Sequence, residues 1–179
     1  MDAFSFLRRR TFLKLGIAGL AGLGAAGGAL WSMRGQAPAV AGLKVLDGHR
    51  FATMKAIAEA QLPLESAAVT SDHLARMFDG FLQGEHDENV ADLATALLLV
   101  EFGPLIFEGR FVTFSHLALE DRRRHWRGWM ESELALRRQV ALAFRKFLHV
   151  VFFDDPKVWP AIGYPGPSLW GMPAEEPTP

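Results

Sequence analysis

The chain has 179 residues, with 19 Lys and Arg against 20 Asp and Glu, 50% hydrophobic residues and no cysteine. Without cysteine there can be no disulfide, thiolate zinc site, iron–sulfur cluster or C-x-x-C-H haem attachment. A formal charge of −1 offers no cationic excess to draw in nucleic acid or an anionic membrane.

The N-terminus carries Arg9-Arg10-Thr11-Phe12-Leu13-Lys14, followed by 19 uncharged residues from Leu15 to Met33. Six of these are glycine, so the stretch is a mild apolar run rather than a Leu- and Ile-rich span. Arg9, Arg10, Phe12, Leu13 and Lys14 resemble the R-R-x-F-L-K pattern of a twin-arginine (Tat) export signal, with Arg8 where such signals usually carry Ser or Thr. The resemblance implies handling by the Tat translocase, which moves folded cargo into the periplasm. Two A-x-A sequences follow, Ala37-Pro38-Ala39 and Ala39-Val40-Ala41. Cleavage after either gives a free periplasmic protein. The competing reading is an uncleaved anchor in the inner membrane through residues 15–33, helped by the basic flank and a G-x-x-x-G spacing.

Setting aside residues 1–39 removes five basic and one acidic side chain, leaving 14 basic and 19 acidic, a formal charge of −5. That sign argues against a nucleic-acid partner. The remaining length suffices for one domain with its own core.

Periodicity in this part is helical throughout. Asp47 caps a helix that places Phe51, Met54, Ile57, Ala58 and Leu62 on a stripe and stops at Pro63. Thr70-Ser71 opens a second, through Gln83, burying Leu74, Met77, Phe78, Phe81 and Leu82, with Gly84 as its stop. A long segment from Asp87 to Phe107 is expected to be the central helix, broken or kinked by Pro104. Gly109 to Ser115 reads as a loop. Glu120 to Ser132 sets Trp126, Trp129 and Met130 against a solvated face of Arg122, Arg123 and Arg124. Glu133 to Phe153 carries a stripe of Leu134, Val140, Ala141, Phe144, Phe147, Leu148 and Val151. Asp155-Pro156 opens a helical turn through Trp159, and the chain then turns irregular. The expected fold is all-α: a signal helix at 1–39, a compact bundle of about five helices at 40–162, and a Pro- and aromatic-rich C-terminal arm with an acidic tail at 163–179.

Catalytic patterns are absent from the sequence. Six histidines occur singly, with no H-E-x-x-H and no Glu-x-x-His pair, so no metal ligand set is assigned and each is expected at the surface or at a cap. No serine lies in G-x-S-x-G. Glu101, in an apolar helix half, needs a partner if buried, and Arg110 is the expected one. We assign no catalytic and no cofactor-binding residue to this chain.

Arg137-Arg138 and the segment Phe152-Phe153-Asp154-Asp155-Pro156-Lys157-Val158-Trp159-Pro160-Ala161-Ile162-Gly163-Tyr164-Pro165-Gly166-Pro167 are less generic. They resemble the C-terminal signature of the gluconate 2-dehydrogenase subunit 3 family: R-R, an aromatic pair, D-P-x-x-W and G-Y-x-G-P. The aromatic pair, often tyrosines in relatives, is phenylalanine here. The resemblance implies a non-catalytic small subunit of a periplasmic dehydrogenase. Its partner would be a flavoprotein large subunit of the glucose-methanol-choline class, which holds FAD, with a cytochrome c subunit often taking the electrons. The small subunit would supply Tat export in trans and structural support. Trp159, Tyr164, Pro165, Gly166, Pro167 and Trp170 are the expected partner interface. Two alternatives stay open: the arm folds back on its own bundle with Trp159 plugging the core, or the protein is a stand-alone, membrane-anchored helical binding protein.

Overall fold

A computed structural model describes residues 34–62 and 69–166. The expectations for the export signal at 1–33, the stop at Pro63, the interface residues Pro167 and Trp170, and the acidic tail lie outside the described residues. Among the described residues the fold is all-α, with no strand. The described residues form seven α-helices: α1 Gly48–Gln61, α2 Ser71–Leu82, α3 Asp87–Glu101, α4 Gly103–Glu108, α5 Leu119–Met130, α6 Ala135–Asp154 and α7 Trp159–Ile162. A 3-10 turn, Phe114–His116, lies between α4 and α5. The count exceeds the expected five because Pro104 splits one segment and the C-terminal arm forms a short helix.

Local chemistry sets most boundaries. Asp47 caps α1 by accepting from Arg50 N at 2.8 Å, and Thr70 caps α2 by accepting from His73 N at 3.2 Å. The long segment does not merely kink. It ends at Glu101, because Pro104 has no N–H to donate backward and its ring would strike the carbonyl four residues earlier. Pro104 instead sits in the first turn of α4, where a missing N–H is harmless.

The central helix is α1, not the Asp87–Phe107 segment. It packs against α2, α3, α5, α6 and the 3-10 turn. Alanines at 52, 56, 58 and 60 let neighbours approach closely, while Phe51, Met54 and Ile57 fill the core. Leu98 and Leu99 are apolar but only half-buried, with Leu99 packed against the margin of the core. Leu93, Leu97 and Val100 face inward, joined by Phe78, Trp126, Trp129, Phe144 and Leu148 from the other helices. Met77, Phe81 and Val151 do not reach full burial, and Leu134, which precedes α6 with extended backbone, is 53% exposed.

The segment ahead of α1 belongs to the same body. Asp79, buried on α2, accepts backbone N–H groups from Lys44, Val45 and Leu46 at 2.7, 3.0 and 2.7 Å. Arg76 donates to the Ala41 carbonyl at 3.0 Å, and Val40, Leu43 and Val45 pack on the core. Among the described residues no helix is long and apolar enough to cross a membrane.

Candidate functional site

The C-terminal arm begins where α6 ends. Asp155 leaves the helix with extended backbone and accepts from Lys157 N at 2.9 Å through Oδ1. Its Oδ2 meets His73 Nε2 of α2 at 3.0 Å, which ties the arm to the bundle. Val158 is fully buried and inserts into the core. Trp159 stays half-buried, so the core plug is Val158, the smaller side chain that fits the gap. The short helix begins at Trp159 rather than at Asp155, and Pro160, not Pro156, occupies its first turn.

Trp159 organises the rest. Its indole N–H donates to the Phe153 carbonyl at 2.9 Å. Gly163 ends α7 with φ 70°, a left-handed conformation that reverses the chain. Tyr164 consequently lies edge-on to Trp159, with centroids 5.3 Å apart at 84°, and Tyr164 N donates to the Trp159 carbonyl at 2.9 Å. Gly166, at φ 105°, passes so near that a Cβ would stand 3.3 Å from the indole. The spacing of Trp159, Gly163, Tyr164 and Gly166 is therefore the specification of one small folded unit. Pro165 is exposed at its rim.

The outer face of this unit is apolar. Ile162 and Tyr164 are 50% and 43% exposed, and Phe153 and Val150, one helical turn apart on α6, are 46% and 68% exposed. The Arg137-Arg138 pair plays a different part. Arg137 lies over the Phe107 and Trp129 rings at 4.6 and 5.4 Å, and burial lowers its pKa. Arg138 donates to the carbonyls of Ser132 and Glu133, holding the entry to α6.

A second feature is a polar cleft of about 280 Å³ between the 34–40 segment, α1 and the 3-10 turn. His49, Lys55, Glu59, Asp72, Ser115 and Arg122 line it with Arg34. Glu101 lies behind Ser115, only 2% exposed. It accepts from Thr53 Oγ1 at 3.0 Å, Ser115 N at 3.2 Å and Ser115 Oγ at 2.6 Å. Arg110, its expected partner, instead pairs with Asp121 at 3.0 Å. The Ser115 proton thus points to a carboxylate rather than to His116, whose Nδ1 is 2.7 Å from Thr113 Oγ1. Burial, with the nearby Arg34 charge, lowers the His49 pKa.

Three polar residues escaped the sequence reading. Arg122 is no solvated face residue: it pairs with Glu59 and donates to the carbonyls of Ser115 and Leu117 at 2.8 and 2.9 Å. His125 is 2% exposed, between Glu108 and Trp129, where a surface or capping position was expected. Asp79 shares a helix face with Ala75, Phe78 and Leu82, and a carboxylate on a buried face was the available signal.

No protein-family model, curated protein or solved structure matches the chain.

Proposed function

We propose that this chain is the non-catalytic small subunit of a periplasmic FAD-dependent dehydrogenase, carrying the export signal for a flavoprotein partner and stabilising it. The observation that carries the reading is the segment 152–167. Its described residues, 152–166, form a discrete unit, pinned by Val158 and Asp155, that presents Phe153, Ile162 and Tyr164 outward. Exposed rings on a backbone already ordered by its own packing lose little freedom on docking, which favours a protein interface. The paired Arg9-Arg10 supplies the logistical half: a flavoprotein must take up FAD before export, and so must travel folded. FAD belongs to the partner in this reading, and substrate specificity resides there.

The test replaces Arg9 and Arg10 by Lys. The flavoprotein partner should then stay in the cytoplasm with its FAD bound. Arrival of the partner in the periplasm despite the double substitution sinks the escort role. A tagged chain that purifies alone, as a stable monomer with no yellow partner, favours the stand-alone binding protein instead.

A further inference from the structure

We infer that residues 34–40 are a built-in strap of the folded domain, and that this strap shields the Ala37–Ala41 processing sequences so that the N-terminal signal stays attached after folding. Two contacts hold the strap, and a third set anchors the chain just after it. Arg34 is 3% exposed at its start, within electrostatic reach of Glu101 and Asp47. Pro38 lies so close to the first turn of α1 that no side chain fits at Gly48 against its carbonyl. Beyond it, the Ala41 carbonyl accepts from Arg76, and Asp79 gathers the next N–H groups at Lys44, Val45 and Leu46.

Ala37, Ala39 and Ala41 are themselves exposed, but the backbone that carries them is tied down on both sides. A peptidase binds its substrate as an extended, detached strand, so cutting requires the strap to lift. Lifting withdraws the buried Arg34 side chain and breaks the close approach of Pro38 to Gly48, a loss of packing that the domain resists. Cleavage after Ala39 would also take Arg34 and Pro38 out of the structure and open the cleft from one side. A Tat-type signal delivers its cargo folded, so the strap is seated before a peptidase on the far side of the membrane meets it. The inference rests on the export-signal half of the proposed function but not on a flavoprotein partner.

Full-length protein purified in detergent and incubated with leader peptidase tests the idea, with cut sites read by intact mass. The unaltered chain should resist, with less than a tenth cut under conditions that cut most of an Arg34→Gln variant after Ala39 or Ala41. An Arg34→Lys variant, which keeps the charge, should be protected in part. Equal cleavage of the unaltered chain and Arg34→Gln overturns the inference, since the strap then shields nothing. Cleavage of neither chain, nor of the urea-unfolded protein, also overturns it, because the A-x-A sequences are then not sites that the fold needs to protect. Thermal unfolding gives a second reading: Arg34→Gln should lower Tm by about 5 °C, and an unchanged Tm contradicts a structural strap.

Discussion

Trp129 donates its indole N–H to Nε2 of His125, one helical turn back, at 2.9 Å. That bond assigns the tautomer: Nε2 accepts, so the ring proton sits on Nδ1, facing Glu108 Oε1 at 2.5 Å. A second proton on Nε2 would confront the indole N–H. Burial lowers the His125 pKa, against the raising influence of Glu108 and with Arg137 and Arg110 adding to the lowering. The unfolded chain therefore takes up a proton near pH 6.5 while the folded one does not. Stability from this group is present above pH 6.5 and is lost as the pH falls through the lower folded value. We expect Tm to fall between pH 7 and pH 5, with a slope from this residue of at most about 1.4 kcal/mol per pH unit. His49 and His149 shift in the same direction, so His125→Gln should reduce the slope without abolishing it. An unchanged slope in that variant refutes the assignment.

The same contact explains a glycine. A Cβ at Gly103 would stand 2.9 Å from His125 Nε2 and 2.9 Å from Trp129 Cζ2. Gly103→Ala should cost about 1–3 kcal/mol by overpacking, read as a lower urea midpoint with an unchanged m-value.

Glu101 is a structural acceptor in this arrangement. Glu101→Ala leaves Ser115 N and Ser115 Oγ without their shared acceptor, while the Thr53 hydroxyl keeps the His49 carbonyl, and should cost about 3 kcal/mol. Glu101→Gln keeps the shape but loses the charge and should cost less. Chemical denaturation of both variants checks the order, and equal losses would contradict it, because the oxygen that Gln retains would then contribute nothing as an acceptor.

Asp79 holds the N-terminal segment to α2 through three N–H groups. Asp79→Ala should cost about 2–4 kcal/mol. Hydrogen exchange should rise first at Lys44, Val45 and Leu46, ahead of the helices. Uniform loss of protection across the domain would mean that the segment is not a separable unit.

Tyr164 separates interface from fold. It is 43% exposed, so Tyr164→Ala should change stability by less than about 1 kcal/mol. Under the proposed function the same substitution should weaken capture of the proposed flavoprotein partner by about tenfold or more, measured by co-purification and titration. Val158→Ala, which opens a hole in the core, should do the reverse and lower Tm first.

The helices were legible in the sequence wherever a cap or breaker stood beside a periodic stripe. Asp47, Thr70 and Pro104 act within a few residues of themselves, so their effects need no knowledge of the rest of the chain. The all-α class follows from the same local patterns. The arm's Gly163 and Gly166 were visible as a motif, but their reason was not: it lies in the Trp159 ring, which the chain reverses to meet.

Tertiary structure decided which helix is central and where the lone charges go. Length and hydrophobicity favoured Asp87–Phe107, yet close approach by small residues put Gly48–Gln61 in the middle. The partners of Glu101, Asp79, Arg122 and His125 come mostly from other elements of the fold. A buried polar group must find a partner, but sequence states only the need. Which group answers it depends on how helices stack, and that is a property of the packed core rather than of any local stretch.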